Sequence, residues 1–142
     1  MKIVSTSILI SAPPERVWDV LTDFPRHPEW NPFIRSISGP LVPGEKLRVH
    51  IKPPGGKGMT FNPTVLAAQS ARELRWKGKL LLPGIFDGEH FFRLEPSGNG
   101  TRFVHGEKFS GLLVGVMGAS SFEQIERGFR DMNEAIKERA EG

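Results

Sequence analysis

The sequence predicts an α+β fold in which an antiparallel sheet is covered by one long C-terminal helix. Two observations carry this. From Ser120 to Ala140 the apolar residues Phe122, Ile125, Phe129, Met132 and Ile136 recur every three or four positions and form a single stripe. From Ile34 to Ser110 the chain reads as strand after strand, joined by connections too short for a crossover helix, which makes the sheet antiparallel. The stripe therefore has a sheet to bury against, and a large sheet closing on one helix leaves room for a hollow between the layers.

The elements follow in order. Lys2 to Ser11 is the first strand, stopped by Ala12-Pro13-Pro14. Pro14 to Leu21 is a short helix with proline near its start and Val17, Val20 and Leu21 on its apolar face. Phe24 to Phe33 carries three prolines, so at most one helical turn fits between Pro28 and Pro32. Ile34 to Ser38 is a short strand. Glu45 to Lys52 alternates, with Leu47, Val49 and Ile51 on one face and Lys46, Arg48, His50 and Lys52 on the other. Met59 to Ala68 and Glu73 to Lys79 are the next two strands. The loops Pro53 to Gly58 and Leu82 to Asp87 punctuate this region. Glu89 to Glu95 and Thr101 to Phe109 flank a tight hairpin turn at Pro96 to Gly100. Ser120 to Glu123 matches a capping box before the closing helix.

Bulk properties narrow the function. The chain has 142 residues, which fits one domain spanning residues 1–142. At this size roughly two-thirds of the unfolded surface can be buried without a metal or a disulfide. There are no cysteines, which excludes thiol catalysis, zinc-thiolate sites and disulfides and suits a cytoplasmic protein. No signal-peptide core and no run of about 20 apolar residues is present, so no integral membrane segment is expected. The 19 Lys and Arg against 16 Asp and Glu give a net charge of +3 that is spread along the chain, so nucleic acid is not the expected partner.

Alternation and hairpin register place the candidate site. Across the Gly98-Asn99 turn, Leu94 faces Phe103, Phe92 faces His105 and His90 faces Glu107. Leu94, Phe92 and Phe103 mark the inner face, which carries His90, His105 and Glu107 inward. Continuing the meander in step puts Trp76 beside His90. Leu47, Val49, Ile51, Phe61 and Val65 extend this face, and the helix adds Phe122, Phe129 and Met132. The predicted ligand-binding residues are Trp30 (near the mouth), Phe61, Trp76, His90, Phe92, His105, Glu107, Phe109, Phe122 and Phe129. An aromatic wall with a few ionisable groups suits an apolar ligand with one polar handle. The alternative is a filled core in which His90 and Glu107 form a buried structural pair.

Catalytic candidates are limited to His90 and Glu107 as an acid/base pair. His90, His105 and Glu107 contain the ligand types of a metal triad, but no helix presents ligands at i and i+4, and no metal site is expected. No Gly-x-Ser-x-Gly elbow, dinucleotide fingerprint or Walker loop occurs, and no cofactor is expected. Lys46, Arg48, His50, Lys52 and Lys57 make an outward basic stripe of the kind that discourages edge pairing. Leu112 to Met117 is apolar and glycine-containing. It reads as a partly helical lid, with transient membrane or protein contact as a further reading.

The segment Ile10-Ser11-Ala12-Pro13-Pro14-Glu15-Arg16-Val17-Trp18 resembles the opening signature of the START-like, polyketide cyclase/dehydrase (SRPBCC) superfamily, which includes the major birch-pollen allergen. Trp30-Asn31-Pro32-Phe33, the run from Gly100-Thr101-Arg102-Phe103 to Glu107-Lys108-Phe109-Ser110-Gly111, and Phe129 to Lys137 are similar to its later elements. The resemblance implies the helix-grip fold: a seven-stranded antiparallel sheet wrapped around the C-terminal helix, two short helices after the first strand, and a hydrophobic cavity. Members bind lipids, sterols, polyketides and hormones. Some cyclise polyketides, and others assist chaperones or act in assembly systems. No single catalytic set is shared, so no catalytic residue carries over.

The expected function is therefore binding of a small hydrophobic molecule such as a lipid, polyketide or aromatic metabolite, by a monomer or homodimer. A cyclase/dehydratase-type enzyme using His90 and Glu107 is one alternative, and a co-chaperone or assembly-type interaction module is the other.

Overall fold

The computed structural model describes residues 1–79, 84 and 86–142. β1 (Lys2–Ile10) leads into α1 (Pro14–Thr22), a 3-10 turn (Phe24–Arg26) and α2 (His27–Trp30). Then come β2 (Ile34–Ser38), β3 (Arg48–Ile51), β4 (Met59–Phe61), β5 (Thr64–Gln69), β6 (Glu73–Lys79), β7 (Asp87–Ser97) and β8 (Gly100–Ser110). A 3-10 helix (Leu112–Val116) precedes α3 (Ala119–Glu141). Of the Leu82 to Asp87 loop, residues 82, 83 and 85 lie outside the described residues.

Eight strands are present among the described residues, in a five-stranded sheet ordered β1-β8-β7-β6-β5 and a three-stranded sheet ordered β2-β3-β4. All the pairings are antiparallel. The expected count of seven changes because the run Met59 to Ala68 is two strands. Pro63 has no N–H to donate and interrupts the ladder. Its carbonyl still accepts from Leu47 N at 2.9 Å, and Val65 N donates to Glu45 O at 2.8 Å. The expected strand Glu45 to Lys52 is thus shared. Its first residues bond to β5, and only Arg48–Ile51 pair with β2 and β4. These bonds join the two sheets into one curved wall.

The hairpin register follows the alternation argument. His90 pairs with Glu107, Phe92 with His105 and Leu94 with Phe103, around a two-residue turn at Gly98-Asn99 in which Gly98 has φ +59°. Trp76 pairs with His90 on the other side. On the sheet rests α3, whose Phe129, Met132 and Ile136 are fully buried. Each such side chain contributes about 1.5–3 kcal/mol by leaving water. The capping box does not form: α3 begins at Ala119 with Gly118 in the cap position and no side-chain cap bond. Ser120 already lies in the first turn, where its hydroxyl cannot reach a free N–H as a cap residue would.

Candidate functional site

A cavity of about 310 Å³ lies between the sheet and the N-terminal half of α3. It exists because two adjacent strands present no side chain where they pair. Gly78 of β6 lies opposite Gly88 of β7, on the same parity as Trp76 and His90. Neither position can take a side chain freely. A Cβ on Gly78 would press Phe61 at 3.2 Å, and one on Gly88 would run into the Glu107 carboxylate, which lies across that bare backbone.

Trp76, His90, Glu107 and Phe109 stand on the sheet side, with Phe33, Ile51 and Phe61 around them. Met117, Ser121, Gln124 and Ile125 close the helix side. The loop Pro53 to Lys57 edges the opening and is tied to α3 by Gln124 Nε2 donating to Pro54 O at 2.7 Å. Lys57, Met59 and Lys79, all exposed, mark where the cavity meets solvent.

At the inner end a line of polar groups runs into the core. Glu107 Oε1 is 3.1 Å from His90 Nδ1, and His90 Nε2 is 2.7 Å from His105 Nε2. His105 Nδ1 is 3.0 Å from Asn133 Oδ1 of α3. Asn133 Nδ2 donates to Thr6 Oγ1 of β1 at 2.8 Å, and that hydroxyl donates to the His105 carbonyl at 2.8 Å. The rings are clamped by aromatic contacts. Trp76 stacks on His90 with centroids 5.1 Å apart, and Phe129 stacks on His105 at 4.3 Å. Complete burial, followed by the neighbouring His90, holds the His105 pKa well below the ordinary imidazole value. The Trp76 indole N–H is buried without a partner among the described residues.

The predicted residues separate into groups. Phe61, Trp76, His90, Glu107 and Phe109 stand at the cavity wall. Phe92, His105 and Phe129 share the inner face but lie deeper, in a filled core of interlocked rings. Phe122 is buried edge-on against Phe109 and is likewise absent from the wall. Leu47, Val49 and Val65 belong to the core, whereas Ile51 reaches the cavity. Trp30 is not near the mouth. α2 packs against β2 and α3, and Trp30 borders a separate surface cleft with Arg16, Asp19 and Arg139. Asn133, Thr6, Gly78 and Gly88 were not among the predicted site residues. The glycine pair carried a signal, since the register that sets Trp76 against His90 also sets Gly78 against Gly88.

On the surface, Lys46, Arg48, Lys52 and Lys57 are exposed, but the His50 ring is half-buried with Nδ1 2.8 Å from Thr60 Oγ1. The 3-10 helix exposes Leu112 and Val116, while Val114 packs inward and the following Met117 reaches the cavity. Among the described residues, no helix is long and apolar enough to cross a membrane.

Similar architectures are known. The START superfamily protein from Mycobacterium smegmatis superposes with a TM-score of 0.76 at 19% identity, covering 98% of this chain and 97% of that one. The Zhui aromatase/cyclase from Streptomyces sp. R1128 gives 0.75 at 19% identity, over 99% and 93% of the two chains. Ara h 8.0201 gives 0.74 at 15%, over 98% and 97%. At these identities the likeness shows the fold alone. No curated protein matches the sequence. The model of one family, described as polyketide cyclase / dehydrase and lipid transport, matches residues 1–141. With that match over the helix-covered sheet, the chain belongs to the polyketide cyclase / dehydrase and lipid transport family.

Proposed function

We propose that the protein binds a small, mostly apolar molecule in the cavity between sheet and helix, with a polar handle of the guest directed at His90 and Glu107. The observation that carries this is the bare Gly78–Gly88 step beside the buried His90 imidazole and its half-buried partner, the Glu107 carboxylate. A structural pair needs no empty volume next to it, whereas a ligand site needs both apolar walls and a few directing polar groups. Family membership supports the same reading.

Binding would draw mainly on apolar area from Phe61, Trp76, Phe109, Met117 and Ile125, with one hydrogen bond from the pair setting orientation. The test is a titration with 2-naphthol, which joins an apolar bicycle to one hydroxyl. Saturable one-site binding is expected, and Gly78→Leu, which fills the cavity, should abolish it. Equal binding by the two proteins would overturn the proposal. Native mass spectrometry of freshly purified protein would add the mass of any co-purifying guest.

A second reading is favoured by the same pair. His90 within 3.1 Å of Glu107 at a cavity wall is the geometry of a general acid/base, and the Zhui protein is an aromatase/cyclase. Once a substrate is in hand, His90→Gln separates the two: turnover vanishes in an enzyme, whereas affinity only weakens in a carrier.

A further inference from the structure

The polar line behind the cavity has a direction, and that direction can be worked out from groups that have no choice of role. The His105 carbonyl can only accept, so the Thr6 hydroxyl spends its single proton on it. Thr6 Oγ1 must then accept from Asn133, which fixes the amide with Nδ2 toward Thr6 and Oδ1 toward His105. Oδ1 can only accept, so His105 Nδ1 carries a proton. His105 is fully buried between Phe129 and Phe92 and stays neutral, which leaves its Nε2 bare. His90 Nε2, 2.7 Å away, must therefore be the donor. With that proton committed inward, one further proton serves the 3.1 Å contact between His90 Nδ1 and Glu107 Oε1. It sits on the imidazole as one half of an ion pair or on the carboxyl as an acid.

We propose that Asn133 and Thr6 are positioning residues: through His105 they lock His90 into the form protonated at Nε2, so that His90 and Glu107 share one proton at the cavity wall. Neither residue touches the cavity. Both act through the histidine between them and the site, and Gly88 completes the arrangement by leaving room for the Glu107 carboxylate over its backbone. A pair holding one transferable proton is complementary to a guest whose handle both accepts and donates, which points to a phenol or an enol rather than a plain hydrocarbon or a permanent anion. This deepens the ligand-site reading, but its test needs no ligand, so the two can fail separately.

The test is the protonation pattern of each histidine ring nitrogen, read by long-range proton–nitrogen correlation NMR of histidine-labelled, full-length protein at pH 7. His105 is expected to carry its proton on Nδ1 and to have a bare Nε2, while His90 is protonated at Nε2. Asn133→Asp places a carboxylate beside His105 Nδ1. It should draw the His90 Nε2 proton across the 2.7 Å contact, leaving His105 protonated on both nitrogens and His90 bare at Nε2. Thr6→Val frees the Asn133 amide to turn and should blur the His105 pattern, and Thr6→Ser should restore it. A wild-type His105 protonated at Nε2 overturns the proposal, as does an Asn133→Asp protein that folds with the His90 pattern unchanged. If Asn133→Asp fails to fold, the wild-type pattern and the Thr6 pair of variants still decide the question.

Discussion

Among the described residues, two buried histidine–asparagine networks are present, and they end differently. In the first, Asn31 Oδ1 accepts from the backbone N–H groups of Phe33 and Ile34, both at 2.9 Å, leaving its amide to meet His27 Nδ1 at 3.1 Å. His27 Nε2 then donates to the Leu21 carbonyl at 2.7 Å. Every branch terminates on backbone, and the network fastens α2 between α1 and β2. In the second, Asn133 orients His105 and His105 orients His90, but the line terminates on Glu107 at a cavity wall. A buried histidine whose ring nitrogens are taken by a backbone carbonyl and by an amide itself anchored to backbone can only hold the fold together. One that leads to a carboxylate beside empty volume stands where a guest could meet it, which is the ground of the proposal above. The same side-chain types close on the backbone in one place and reach a cavity wall in the other, and what separates them is where the chain of donors stops.

The largest effect expected from breaking this comparison is on the first network. Asn31→Ala strands two buried backbone N–H groups at about 1–3 kcal/mol each, so urea unfolding should show a loss of about 2–6 kcal/mol. Affinity of the protein that remains folded for 2-naphthol should not change. A loss below about 1 kcal/mol would mean that the network is not a fastening.

The next effect is on pH dependence, which both networks share. Burial is the main cause that lowers the pKa of His27 and, further, of His105. A histidine whose folded pKa is depressed is fully stabilising above the unfolded value near 6.5. Stability is lost as the pH falls below that value, because the unfolded chain takes up the proton first. Between pH 7.5 and 5.5 the urea midpoint should drop. Each histidine can steepen the slope by up to about 1.4 kcal/mol per pH unit. Glu141, whose pKa is lowered chiefly by the Lys137 hydrogen bond, contributes only at more acidic pH, below its ordinary value of 4.5. A flat profile across this window would mean that neither ring is held neutral.

Smaller in energy but confined to the second network are the cavity-side changes. Glu107→Gln should leave stability nearly unchanged and weaken 2-naphthol about tenfold, the worth of one directed hydrogen bond. Gly88→Ala should weaken it comparably by pushing the carboxylate off its seat. An unchanged affinity in both would place the guest's polar handle elsewhere.

Much of this site is legible in the sequence, because strand alternation and a two-residue turn fix side-chain neighbours without reference to the rest of the fold. That reasoning brought His90 to Glu107 and Trp76 to His90, as the structure has them. It could not distinguish depth along a strand. Phe92 and His105 share a face with His90, yet they fall in the filled half, since alternation names a face and not a position beneath the helix. Asn133 escaped notice because the stripe of α3 identifies its buried side, while which buried residue meets which strand depends on how the helix is laid across the sheet. Trp30 was misplaced for a similar reason: a single helical turn between prolines carries no information on the direction in which it packs. Pro63 was legible as a ladder breaker, and reading it so would have separated β4 from β5.

The central claim is an open cavity at the Gly78–Gly88 step, and intermolecular nuclear Overhauser effects between 2-naphthol and the labelled protein test it most directly. Contacts from the naphthol ring to the Gly78 and Gly88 α-protons and to the Met117 methyl are predicted, with the hydroxyl end near His90. Contacts confined to the exposed Leu112 and Val116 side chains, or none at all at saturating probe, would contradict it.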